Sequence, residues 1–360
     1  MKEMISRTLD LIVVCMVLHA CGEKPPATER TPEEERATGL VEDRWPEEKA
    51  GEWHETVGPI RGANYLPTTA ATTSDVWSRA QRRVSMWQPQ GFASESIDRE
   101  FGWARGAGYN SLRVFLDYPE WKADSDGFRQ RMDAVLATAE KHGMRLGCVL
   151  LRGVSLERPG AEERIPGETD RSDWPELEEY VKDVVGRFGD DDRVLMWDMY
   201  NEPDNLPLVE AMFTWAREVQ PSQPLTTGVW ALFDSDMSKR IMELSDIVSF
   251  HAYDPPDGVR VKIEQTEVYG RPIVCTEFLR RQAGNTFAAV LPIFAEHEVG
   301  WYNWGLVAQK LPAFWGSQQD DSLQKVWQTD VFHSDGRPYR AEEIELIRSF
   351  TFELEQTSRN

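Results

Sequence analysis

"RVLMWDMYNEPDN", residues 193–205, begins as a strand and ends as something else. Its apolar start reads as a buried strand. Pro203 then stops strand pairing, because proline has no N–H to donate. A carboxylate at the end of such a strand is costly in a core and useful in a pocket. Glu202 is therefore either an acid at the start of the next helix, where the macrodipole favours it, or a catalytic acid. The remainder of the chain decides between the two.

Seven further runs share the texture of this one. They are "GPIRGANYLP" (58–67), "YNSLRVFLDY" (109–118), "MRLGCVLL" (144–151), "PLTTGVW" (224–230), "DIVSFHAYD" (246–254), "RPIVCTEF" (271–278) and "VGWYNWGLV" (299–307). Most are continuously apolar rather than alternating, which suits parallel strands buried on both faces. Segments with helical spacing lie between them: Ile97, Phe101, Ala104 and Gly108; Phe128, Met132, Val135, Leu136 and Ala139; Leu177, Val181, Val184 and Phe188. Asp173 with Glu176 three residues on reads as a capping box for the third of these. Eight strands alternating with helices predict an α/β chain folded as a (β/α)8 TIM barrel. An open doubly wound sheet would carry a Gly-rich phosphate turn after its first strand, and "GPIRGANYLP" is not one.

The 360 residues fit one such domain, expected over 51–360, and 41% apolar residues supply its core. The formal net charge of −21 argues against a nucleic-acid partner, since phosphate binding needs Lys and Arg. The N-terminus has a different character. Lys2 and Arg7 precede an apolar run from Leu11 to Leu18, which is too short for the ~20 residues a bilayer span needs. It has the size of a signal-peptide core. Leu18-His19-Ala20-Cys21 resembles a bacterial lipoprotein signal, which implies that residues 1–20 are removed and Cys21 carries lipid. The protein is then expected to be extracytoplasmic, with Gly22 favouring the outer membrane in a Gram-negative cell, and to meet the membrane only through that anchor. Residues 21–50, rich in Pro, Glu and Thr, read as a flexible acidic tether. Cys148 and Cys275 lie in apolar runs and read as small buried hydrophobes rather than a disulfide or a metal site.

In a barrel of this kind the site lies at the C-terminal ends of the strands. Those ends carry Arg113 and Asp117, Asn201-Glu202-Pro203, Trp230, His251-Ala252-Tyr253, Glu277 and Trp304, set above a barrel interior expected to be apolar. Glu202 and Glu277 end the fourth and seventh strands, 75 residues apart, and so face each other across the mouth. Such a pair suits hydrolysis of a glycosidic bond, with one acid protonating the leaving oxygen and one carboxylate attacking at a separation of about 5–5.5 Å. No His-Glu-x-x-His, Gly-x-Ser-x-Gly or phosphate loop competes with it, and neither metal nor cofactor is expected.

Asn-Glu-Pro after the fourth strand and Thr-Glu-Phe (276–278) at the seventh resemble clan A glycoside hydrolases, close to the family 5 cellulase and mannanase group, over roughly residues 57–350. The tail "DVFHSDGRPYRAEEIELI" (330–347) resembles bacterial secreted relatives labelled as xylanases or cellulases. The resemblance implies Glu202 as acid/base and Glu277 as nucleophile of a retaining β-glycosidase. It implies Asn201 on the sugar 2-hydroxyl, Tyr253 orienting the nucleophile, His251 near the acid/base, Arg113 beneath Glu277, and Trp304 stacked on the sugar. Trp230 is read as an outer sugar contact, as are Trp87, Trp121, Trp174 and Trp315, each with loop packing as its plain structural explanation. Family 5 members commonly carry a His just after the third strand; here "CVLLRGVSLERPG" (148–160) has none, and Arg152 is the nearest polar residue. A non-catalytic carbohydrate-binding barrel is the alternative this departure raises. The intact pair of glutamates weighs against it.

Overall fold

The computed structural model describes residues 41, 43–69, 85–152, 171–230, 233–308 and 326–357. The expected signal, Cys21 and most of the tether, together with Trp315 and the loop after the third strand, lie outside the described residues.

Each of the eight apolar runs contains a strand. They are β1 (Arg61–Tyr65), β2 (Ser111–Phe115), β3 (Arg145–Arg152), β4 (Val194–Asn201), β5 (Leu225–Thr226), β6 (Val248–Ala252), β7 (Ile273–Phe278) and β8 (Gly300–Asn303). All pairings are parallel, in the order β5-β4-β3-β2-β1-β8-β7-β6. The ring closes just beyond β5: Val229 bridges to Phe250 in parallel, its N–H donating to Ser249 O at 3.2 Å and its carbonyl accepting from His251 N at 2.7 Å. The eight strands thus form the expected barrel.

The helices are α1 (Glu47–Val57), α2 (Ser94–Gly106), α3 (Tyr118–Ala123), α4 (Ser125–Lys141), α5 (Trp174–Phe188), α6 (Leu206–Glu218), α7 (Asp236–Leu244), α8 (Pro256–Glu267), α9 (Phe287–Glu296) and α10 (Ala341–Thr357). On α5 the buried face is Leu177, Tyr180, Val181, Val184, Val185 and Phe188, the stripe its sequence spacing predicts. Side-chain caps begin several helices: Asp124 on Gly127 N, Asn205 on Leu208 N and Ser235 on Ser238 N, at 2.9, 3.1 and 3.1 Å. Asp173 makes no such bond, so the capping box read there does not form. Gly108 also departs from its expected place: it lies beyond α2, in a turn with φ +99°, a conformation that favours glycine.

The ordered chain begins before residue 51. Trp45 N–H donates to Asp246 Oδ1 at 2.9 Å, Arg271 donates to Trp45 O at 2.6 Å, and Ala50 on α1 is buried. Cys148 and Cys275 are buried and free. No described helix is long and apolar enough to cross a membrane. Trp87 and Trp121 are core residues whose indole N–H groups donate to Phe115 O and Asp183, and Trp174 packs edge-on to Trp215. Packing accounts for Trp87 and Trp121, while Trp174 keeps part of its surface open.

The barrel interior has two layers of different character. The lower holds Ile60, Leu195, Met196, Ile247, Val274 and Tyr302. Tyr302 fits because β1 places a glycine beside it: a Cβ on Gly62 would sit 2.2 Å from the ring. The upper layer is not apolar as expected. It is a buried polar network, and the site stands on it.

Candidate active site

Arg113 on β2 is the centre of that network, with no solvent exposure. A guanidinium without water must spend its donors on acceptors, and this one does. It donates to Asp198 Oδ2 on β4 at 2.7 Å, to Asn64 Oδ1 on β1 at 2.7 Å and to Glu277 Oε1 on β7 at 3.1 Å, and also to the Asn201 side-chain oxygen. Asn64 in turn donates to the carbonyl of Thr276 at 2.8 Å. Four strands are thereby locked in register around one cation, and Glu277 is fixed from below.

From above, the Tyr253 hydroxyl donates to Glu277 Oε2 at 2.7 Å. Burial pushes the phenol well above its ordinary value, so it remains a donor. His251 Nδ1 lies 2.8 Å from Glu202 Oε1 and 3.5 Å from Glu277 Oε2, between the two carboxylates. Burial lowers the imidazole to about 4, which keeps it neutral. A neutral ring has one N–H. Nε2 is buried without a partner, so the proton belongs on Nδ1, facing Glu202. Gly228 leaves room for the ring: a Cβ there would meet Nε2 at 2.7 Å. The Gly228 carbonyl also accepts Glu202 N–H at 3.2 Å.

Glu202 itself has φ +49°, a left-handed backbone that costs roughly 1–3 kcal/mol in a residue with a Cβ. It is the first residue past β4, and this kink turns its carboxyl over the barrel mouth. Register irregularities at Phe250/His251 and between Cys275 and Phe278 do the same for β6 and β7, re-aiming side chains beside the site. The outcome is that Glu202, His251 and Glu277 each bring a ligand atom within 4.8 Å of the others. Among the described residues they are also the one group of such side chains close enough to ligate a cation. Arg113 already supplies positive charge at Glu277.

Two carboxyls this close cannot both ionise easily. Burial raises Glu202 to about 7, against the opposing pull of Arg113 and Lys262. The side chain is 32% exposed, and the buried His251 lies against it. Burial raises Glu277 too, with Glu202 adding to the rise and His251, Arg113 and Tyr253 opposing it. The donors favour charge on Glu277, which holds two strong ones. Glu202 then keeps the proton the pair shares.

Trp304 is half-buried at the end of β8, its ring edge-on to Phe115 at 5.9 Å and its backbone N–H donating to Phe278 O at 2.7 Å. Trp230 stands 51% exposed past β5. The structure therefore gathers Arg113, Asn201, Glu202, His251, Tyr253 and Glu277 by direct hydrogen bonds and sets the two tryptophans past the ends of β5 and β8. Asp117 caps α3 instead. Asn64, Asp198, Gly228 and Lys262 were not singled out from sequence. A charged Asp198 inside an otherwise apolar strand was the signal available for one of them.

No family model and no curated protein matches the chain. Solved structures do. The exo-β-1,4-mannosidase Op5Man5 from Opitutaceae bacterium strain TAV5 superposes with TM-score 0.63 at 16% identity over 84% of this chain, which spans 60% of that protein's length. A protein described as GH5_18 from Streptomyces cattleya, solved with GlcNAc, gives 0.60 at 14% identity, covering 84% of this chain and 81% of that one. A family 5 mannosidase from Rhizomucor miehei gives 0.54 at 14%, covering 84% and 94%. The fold is the one the Asn-Glu-Pro resemblance implies, and these solved structures of glycoside hydrolases share it.

Proposed function

We propose that this protein is a retaining glycoside hydrolase acting on β-linked carbohydrate. The observation that carries the reading is the approach of Glu202 and Glu277 to within 4.8 Å across the mouth. That fits the short spacing of about 5–5.5 Å used for double displacement, not the ~6.5–9.5 Å that leaves room for an attacking water in inversion.

Glu277, held by Arg113 and Tyr253, attacks the anomeric carbon. Glu202 gives its proton to the departing oxygen, and the bond from carbon to that oxygen breaks. Glu202, now a carboxylate beside the Nδ1–H of His251, takes a proton from water, and the water oxygen displaces Glu277 from the sugar. Asn201, its amide oxygen taken by Arg113, presents its NH2 to a sugar hydroxyl. Trp304 and Trp230 offer ring faces to sugars. No cofactor enters any step. The names of the similar solved structures make β-mannosides the first substrates to try, and the resemblance of Leu18–Cys21 to a lipoprotein signal supports a location outside the cytoplasm with lipid on Cys21.

The test is hydrolysis of β-mannans, other β-linked polysaccharides and activated aryl β-glycosides by the full chain. Turnover of one class, lost in Glu277→Ala, supports the reading. Saturable sugar binding without turnover anywhere on the panel would sink it and favour a binding protein.

A further inference from the structure

Lys262 lies in the middle of α8, where a solvated lysine would be unremarked. Helical side chains tilt toward the helix N-terminus, and the N-terminus of α8 sits by the end of β6. The ammonium uses this tilt to reach the barrel mouth. It donates to His251 O at 3.0 Å and to Trp230 O at 3.3 Å, and it pairs with Asp254 Oδ2 at 2.6 Å. An ammonium has three N–H donors, and all three are spent. Two of them join the backbone that follows β5 to the end of β6, at the seam that the Val229–Phe250 bridge closes.

We propose that Lys262 is a positioning residue for the acid/base. It fixes the backbones of His251 and Trp230 to each other, which seats the imidazole whose Nδ1 lies 2.8 Å from Glu202, and it brings an ammonium to the same mouth. The inference rests on the reading of Glu202 as the acid/base. Glu202 is faced by Arg113 from β2, His251 from β6, Tyr253 just beyond it, Glu277 from β7 and Lys262 from α8. Arg113 is committed to Asp198, Asn64, Asn201 and Glu277. Lys262 touches neither carboxylate, so it can change the charge at Glu202 without disturbing the nucleophile's own bonds. Its positive charge opposes the rise that burial causes in Glu202 and adds to the lowering of His251. It thus brings the Glu202 proton within reach of release while keeping His251 neutral.

The experiment follows the Glu202 carboxyl by NMR in full chain labelled with 13C at glutamate carboxyls, assigned with Glu202→Gln. The variants are Lys262→Met, Lys262→Gln and Lys262→Arg. Loss of the charge is expected to move the Glu202 midpoint upward in the Met and Gln variants, and Arg to hold it near the wild-type value. Lys262 is largely buried but bonds only at the mouth, and two neutral variants guard against one that misfolds. An unchanged midpoint in a folded neutral variant overturns the proposal. This titration needs no turnover, so it stands apart from the glycosidase reading. Where an aryl β-glycoside is turned over, the alkaline limb of kcat/KM moves up in parallel; a limb that stays put while the midpoint moves would show that Glu202 is not the acid.

Discussion

Two layers of side chains fill the barrel, and the same strands supply both. On β4, Met196 and Asp198 stand two residues apart; on β2, Ser111 and Arg113; on β1, Gly62 and Asn64. Strand side chains two apart share a face, so the chemistry of the interior changes within one repeat. Below, Met196, Val274 and Tyr302 pack without charge, and Gly62 leaves the space that the tyrosine takes. Above, Arg113 binds Asp198, Asn64, Asn201 and Glu277 with no exposure of its own. The lower layer is what a barrel needs to stay folded. The upper layer would be a poor choice for stability alone, because a buried ion network is often no better than a well-packed apolar one. It makes sense as the floor of a site that needs one carboxylate ionised and one protonated.

The sharpest way to break that comparison is Glu277→Ala. Removing an activated nucleophile is expected to cost about 10^4-fold or more in rate. Arg113 keeps Asp198, Asn64 and Asn201, so the melting temperature should change little. A large loss of stability with a small loss of rate would mean that Glu277 belongs with the structural residues. Arg113→Met comes next and should damage both properties. It leaves Asp198 and Glu277 buried without their cation, at a cost of about 3–5 kcal/mol on the scale of broken buried pairs. Denaturant unfolding measures it, and a variant as stable as wild type would show that the network is not coupled to folding. In the lower layer, Tyr302→Ala should cost about 3–5 kcal/mol as a core truncation. The pH dependence of any activity should not change, since no charge has moved.

The same contrast explains what could be read in the chain. The barrel was legible because eight short apolar runs, most of them continuous, with segments of helical spacing between them, leave few other folds. Glu202 and Glu277 were legible because they end the fourth and seventh runs. Arg113, Asn201, His251 and Tyr253 stand at strand ends or one face below and were read with them. Asn64 and Asp198 were not, because nothing in a strand's sequence says which side faces the barrel axis. Register decides that, and irregularities at Phe250/His251 and between Cys275 and Phe278 shift it near the site. The interior was expected to be apolar for the same reason. Lys262 was missed because its role depends on the tilt of one helix over a strand end. Gly228 was missed because its importance is the absence of a Cβ against His251.

The smallest effect concerns how stability follows pH. Burial holds Glu202 at about 7, above its ordinary 4.5. A carboxyl raised in this direction binds its proton more tightly when folded, so it favours the native state at low pH. That contribution is lost as pH rises from about 4.5 through about 7, when an ion must form beside Glu277. Glu202→Gln cannot ionise. Its melting temperature should lie closest to wild type at pH 5 and exceed it by a margin that grows to about pH 7 and then levels off. His251 runs the other way: lowered from 6.5 to about 4, it destabilises the fold as pH falls through that window. Both proteins carry His251, so the difference between their melting curves isolates Glu202. Calorimetry from pH 5 to 8 reads the margin directly. A flat difference would mean that Glu202 ionises as freely folded as unfolded, and the upper layer would then lack the asymmetry that separates an acid from a nucleophile.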